Sequence, residues 1–216
     1  MKDSVTLEKI RENKVCAIIR GIPKDKIKPI ADALIQGGVK AVEVTFNTDG
    51  AAQMIRELKR LYGDELLIGA GTVLDPETAR EAISAGASFI LAPTLNTEVI
   101  KLCLRYNVVP VPGVTTPTEA LTAWENGARI VKIFPAGVLG ANYIKQLKGP
   151  LPQIDMMVVG AVGAANLKDF FKAGASSAGI GGELVNKDLV AAEDYQEIER
   201  RASEFARIVS DFNRES

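Results

Sequence analysis

Eight short apolar runs, separated by amphipathic stretches at helical spacing, constrain this chain more than any other feature. The runs cover residues 15–20, 41–46, 66–70, 88–92, 108–111, 129–134, 155–159 and 177–181. Between them, 24–36, 49–61, 76–84, 97–106, 117–125, 142–148 and 166–173 carry apolar residues at a helical period. Alternating strand and helix with short links predicts a parallel sheet. Eight such units predict closure into a (β/α)8 TIM barrel rather than an open sheet. A repeat supports closure: a glycine after a helix end, then a small residue, then a strand, recurs at Gly38-Val39, Gly86-Ala87, Gly127-Ala128 and Gly174-Ala175. Glycine tolerates the left-handed backbone that ends a helix. The expectation is one α/β domain over 1–216, with a short N-terminal helix and a closing helix over 195–212.

A chain of 216 residues suits one barrel better than two domains. At this size folding buries ~70% of the unfolded chain's surface, enough for a core without covalent staples. The 26 basic and 27 acidic residues nearly cancel, and no basic block occurs. No nucleic-acid or membrane surface is expected from that balance. No apolar run reaches membrane-spanning length, and charges punctuate the first dozen positions. Cys16 and Cys103 lie far apart in apolar settings, as free thiols in a reducing compartment do. A cytoplasmic protein is expected. The chain contains no histidine, which excludes His-based triads and His-ligated metal sites. Acid/base chemistry must then run on Lys, Glu, Asp, Tyr or thiol.

Barrel chemistry sits at the C-terminal strand ends, so polar residues there carry the functional reading. Lys132 interrupts an otherwise apolar strand, Ile130 to Phe134, on one face with Ile130 and Phe134. If it points inward, desolvation lowers its pKa and frees the amine for attack on a ketone. Glu43 interrupts the second strand and shares a face with Ala41 and Thr45. Two readings stay open from the residues: a structural buried ion pair, or an amine with its proton shuttle. Arg20 ends the first strand, where a guanidinium can clamp a carboxylate or phosphate. Gly69-Ala-Gly-Thr-Val73 ends the third, where small residues admit a ligand and Thr72 offers a hydroxyl. Gly179-Ile-Gly-Gly-Glu183 and Gly160-Ala-Val-Gly163 follow the last two strands, the usual place for a phosphate cradle at helix N-termini. Glu183 would repel a phosphate if it pointed inward.

Taken together, Ala17-Ile-Ile-Arg20, Glu43-Val-Thr45, Gly69-Ala-Gly-Thr-Val73, Pro112-Gly-Val114, Lys132-Ile-Phe-Pro135 and Gly181-Gly-Glu-Leu-Val185 resemble a known family. It is the family of 2-keto-3-deoxy-6-phosphogluconate (KDPG) aldolases and 4-hydroxy-2-oxoglutarate (KHG) aldolases. The resemblance covers nearly the whole chain. It implies that Lys132 is the Schiff-base lysine, that Glu43 is the general acid/base, and that Arg20 and Thr72 hold the substrate carboxylate with Pro93 nearby. Gly160, Gly181 and Gly182 then cradle the far end of the substrate. The resemblance further implies pyruvate as a product, no metal, no organic cofactor and a homotrimer.

Three positions depart from the family pattern. Asn47 stands where many relatives carry arginine, Val158-Val-Gly-Ala161 replaces Pro-Thr-Gly-Gly, and Glu183 stands where serine is frequent. The last two fall in the expected phosphate cradle. They leave open an aldolase for an unphosphorylated keto acid, or a non-catalytic keto-acid binder on the same barrel.

Overall fold

A strand covered by helices on one side and packed side chains on the other must be apolar on both faces. The chain meets that demand: β1 (Val15–Ile19), β2 (Ala41–Thr45) and β3 (Leu67–Gly71) are buried at every residue. The same holds for β4 (Phe89–Leu91), β5 (Val109–Val111), β6 (Gly113–Val114), β7 (Ile130–Ile133) and β9 (Ser177–Ile180). In β8 (Asp155–Val159) only Asp155 is part-exposed. The computed structural model describes residues 2–215.

All paired strands are parallel, in the order β5-β4-β3-β2-β1-β9-β8-β7-β6. The fifth stave, expected as one run over 108–111, is two pieces, because Pro112 has no N–H to give the ladder. One piece pairs with β4 and the other with β7. The Pro112 carbonyl still accepts the Lys132 N–H at 2.8 Å. β5 and β6 are therefore one interrupted stave, and the ring closes through it.

The surrounding helices are α1 (Lys2–Asn13), α2 (Ile27–Gln36), α3 (Ala51–Tyr62), α4 (Pro76–Ala85), α5 (Thr97–Arg105) and α6 (Pro117–Glu125). They continue with α7 (Ala136–Leu139), α8 (Ala141–Lys148), α9 (Leu167–Lys172), α10 (Lys187–Ala191) and α11 (Tyr195–Glu215). A single 3-10 turn, Lys24–Lys26, precedes α2. The four repeat glycines all take left-handed φ: 88° at Gly38, 107° at Gly86, 100° at Gly127 and 104° at Gly174. Side-chain-to-amide caps start several helices. Asp75 accepts the Thr78 N–H at 2.7 Å, and Thr116 with Glu119 forms a capping box on α6.

Strand parity sorts the apolar residues into two clusters. The larger lies between strands and helices; the smaller, with Ile18, Leu67, Phe89, Val109, Ile130 and Met157, fills the barrel. α1 closes the N-terminal end, with Ile10 inside that inner cluster and Leu7 against it. The buried polar residues on the strands are Glu43, Thr45, Lys132 and Ser177. Among the described residues no helix is long and apolar enough to cross a membrane.

Candidate active site

Lys132 and Glu43 both point into the barrel, as their strand faces require. Lys132 pairs in register with Gly113 and Met157, while Glu43 pairs with Ile18 and Gly69. Glu43 is 0% exposed and Lys132 2%. They are not an ion pair: both Glu43 carboxylate oxygens are buried without a hydrogen-bond partner. A buried carboxylate left unsatisfied is costly, and native folds tolerate it where it has a task. The charges still sense each other. Burial pushes the Glu43 carboxyl above its ordinary range, opposed by the positive charges of Lys132 and Arg20. Burial likewise lowers the Lys132 amine, opposed by Glu43 and reinforced by Arg20. The Lys132 Nζ lies 5.1 Å from the centre of the Phe134 ring, two residues along on the same face.

The small residues of the third strand make room for protein rather than ligand. A side chain on Gly69 would collide with the Phe89 ring. One on Gly71 would start 2.7 Å from the Glu43 carboxylate. Gly71 is therefore what lets Glu43 lie inside the barrel. Cys16 sits in the same interior and is a free thiol, pushed well up by burial and by Glu43.

At the C-terminal strand ends, on a wall that Lys132 and Glu43 do not line, opens a cavity of about 600 Å³. It is lined by Arg20 just after β1, Phe134 just after β7, Val159 at the end of β8 with Gly160 after it, and Gly181 and Gly182 after β9. Gly160 turns with a left-handed φ of 93°. At Gly181 and Gly182 an added side chain would meet nothing within 4 Å, so both face open space. Glu183 points towards the loop before α9: its Oε2 accepts the Ala164 N–H at 3.2 Å. Its carboxylate also fills the space a side chain on Gly163 would need. The Glu183 carbonyl accepts from Arg201 Nη1 at 3.0 Å, which ties this loop to α11.

The structure thus brings Arg20, Gly160, Gly181 and Gly182 to one cavity wall, with Lys132 and Glu43 buried in the barrel interior and coupled electrostatically to Arg20. Thr72 and Pro93 are half-buried at the ends of β3 and β4, outside that wall. Thr72 holds a left-handed φ of 55°, uncommon for a residue branched at Cβ. The Pro93 carbonyl packs where a Gly113 side chain would be. The sequence reading did not single out Ile18, Asn186 and Lys187 on the wall. For Ile18 parity with Arg20 was the available signal. The other two lie in a loop whose path no periodicity encodes.

A closed parallel barrel with a buried, unpaired amine and carboxylate beneath a polar mouth defines a (β/α)-barrel enzyme. Within that class the chain belongs to the KDPG and KHG aldolase family, whose model matches residues 6–201. The family's members are lyases, and so is this chain. It is 39% identical over 194 residues to a 2-dehydro-3-deoxy-6-phosphogalactonate aldolase of Escherichia coli K12, covering 89% of this chain and 91% of the relative. A 2-dehydro-3-deoxy-phosphogluconate aldolase of Haemophilus influenzae is 37% identical over 204 residues, 94% of this chain and 96% of the relative. The solved structure described as native KDPGal superposes with a TM-score of 0.87 at 36% identity, over 93% of this chain and 96% of that one.

Proposed function

We propose that this chain is a Schiff-base aldolase that cleaves a 2-keto-3-deoxy acid to pyruvate and an aldehyde, with Lys132 as the amine and Glu43 as the acid/base. The observation that carries this is the buried Lys132–Glu43 pair that makes no salt bridge, Glu43 keeping both oxygens unpartnered. Depression of the amine pKa by burial supplies the free lone pair.

Lys132 Nζ adds to the C2 carbonyl, Glu43 passes the proton that lets water leave, and a protonated imine forms. The C3–C4 bond then breaks, its electron pair flowing into the imine to give an enamine. The C4 hydroxyl proton goes to a base, the role assigned here to Glu43. The aldehyde departs, C3 takes a proton, and water releases pyruvate and restores the amine. Arg20, with its charge felt at both groups, suits the substrate carboxylate, with Thr72 and Pro93 at the adjacent strand ends. Gly160, Gly181 and Gly182 suit the far end.

KDPG would yield glyceraldehyde 3-phosphate, and 4-hydroxy-2-oxoglutarate would yield glyoxylate. The E. coli relative's name adds the phosphogalactonate compound to the candidates. A second reading, an unphosphorylated keto acid, is favoured by the Glu183 carboxylate, which sits on the cavity wall and already holds the Ala164 amide. Comparing kcat/KM for phosphorylated and unphosphorylated substrates separates the two. The resemblance also supports a homotrimer in the cytoplasm, and light scattering on the purified protein tests the trimer.

Borohydride trapping with pyruvate, followed by peptide mass spectrometry, tests the central reading. A reduced pyruvate adduct on Lys132 is expected. No adduct on folded protein would leave a keto-acid-binding barrel without the chemistry.

A further inference from the structure

The far end of the cavity carries charge that the imine chemistry leaves unused. An anion arriving there would ordinarily be met by backbone amides at helix N-termini. Here the protein's own side chains have taken several amides of the neighbouring loops and of the start of α10. Glu183 holds the Ala164 N–H, and Asn166 Oδ1 holds the Gly163 N–H at 2.9 Å. At the start of α10, Asn186 Oδ1 accepts from Asp188 and Leu189 at 2.8 and 3.4 Å. Positive charge on the cavity wall then comes from two side chains, Arg20 and Lys187, against the carboxylates of Glu183 and Asp188.

Among the described residues neither Arg20 nor Lys187 has a carboxylate within ion-pair distance. The positive charge of Arg20 is felt at Lys132 and Glu43. The Lys187 side chain instead crosses the turn after β1. A side chain at Gly21 would begin 2.6 Å from its Nζ, and Gly21 turns there with a φ of 61°. The absence of a side chain at Gly21 is what gives Lys187 its path along the rim.

We propose that Lys187, on the same cavity wall as Gly181 and Gly182, grips the anionic group at the far end of the substrate, the terminal phosphate or second carboxylate. The inference rests on the aldolase reading above. Lysine suits the role: a flexible ammonium meets a phosphate as a point charge, and the side chain is exposed and free to follow it.

The test compares wild type, Lys187→Met and Lys187→Arg, all full-length. Each is assayed for cleavage of a 6-phosphorylated 2-keto-3-deoxy acid and of its unphosphorylated analogue. Loss of one charge-assisted contact predicts a KM for the phosphate ester raised about ten- to a hundredfold in Lys187→Met. The unphosphorylated analogue should change by less than about threefold, and Lys187→Arg should recover most of the loss, since it restores the charge. Inorganic phosphate should also inhibit Lys187→Met less than wild type. Equal effects on both substrates, no effect on either, or a wild type indifferent to the phosphate would overturn the proposal. Borohydride trapping with pyruvate, which has no far end, runs alongside. Its failure in wild type would sink the aldolase reading instead, and its success in Lys187→Met shows a folded, working imine centre.

Discussion

Replacing Glu43 by Gln should make the protein more stable and much less active. Glu43 is fully buried, and its two oxygens lack partners. Two effects compete on the ionised carboxylate: loss of hydration raises its free energy, while Lys132 and Arg20 lower it. The pKa is raised, so desolvation wins. A group with a raised folded-state pKa contributes stability that is fully present below its unfolded value, about 4.5, and is lost as pH rises through the folded value. Glutamine keeps the shape and never ionises, so it avoids that loss. An unsatisfied buried polar group costs about 1–3 kcal/mol, more when charged, and the amide retains part of that cost. The net gain is then about 1–2 kcal/mol at pH values where wild-type Glu43 is ionised. For a domain of this size that is roughly 2–8 °C in Tm. With Glu43 as the proposed general acid/base, its loss predicts a fall in kcat of about 10²–10⁴. Thermal melts of both proteins at pH 4.5, 7 and 8.5 check the reasoning, with the gap expected to widen as pH rises. A variant that melts below wild type at neutral pH would show that the carboxylate supports the fold.

Lys132→Ala should abolish both cleavage and the borohydride-trapped adduct while leaving the far-UV circular dichroism of the barrel intact. In wild type, the rate of imine trapping should climb with pH and level off below the ~10.4 of a free lysine, because burial lowers this amine; a midpoint at or above that value would contradict the desolvated site. Gly71→Ala puts a methyl group 2.7 Å from the Glu43 carboxylate. It should cost about 1–3 kcal/mol in urea melts and lower kcat, since the carboxylate must shift. Gly86→Ala forces a left-handed backbone on alanine at the opposite end of the barrel, with room for the methyl itself. Stability should fall by about 1–2 kcal/mol with kcat unchanged, and a change in kcat would argue against the separation of scaffold and mouth.

Much of the scaffold was legible because it follows from local pattern. Apolar runs on both faces predicted the covered strands, and the glycine after each repeat helix predicted four left-handed turns that the backbone does make. Parity within β7 and β2 placed Lys132 and Glu43 on inward faces without knowledge of any neighbour. The split of the fifth stave at Pro112 could be read from the proline, but its pairing with both neighbours depends on ring closure. The loops after β8 and β9 were read less well. That Glu183 reaches the Ala164 amide and Lys187 crosses Gly21 is decided by contacts far apart in sequence.

The sequence by itself determined the barrel, the facing of its interior charges and the family, since strand alternation and glycine turns act over a few residues. Only the tertiary structure decided that Lys132 and Glu43 stand apart rather than paired, that Gly71 yields space to a carboxylate, and that Glu183 turns back onto the loop before α9. Those outcomes turn on distances between side chains carried by different strands and loops. Closing the ring sets such distances, and no local pattern encodes them.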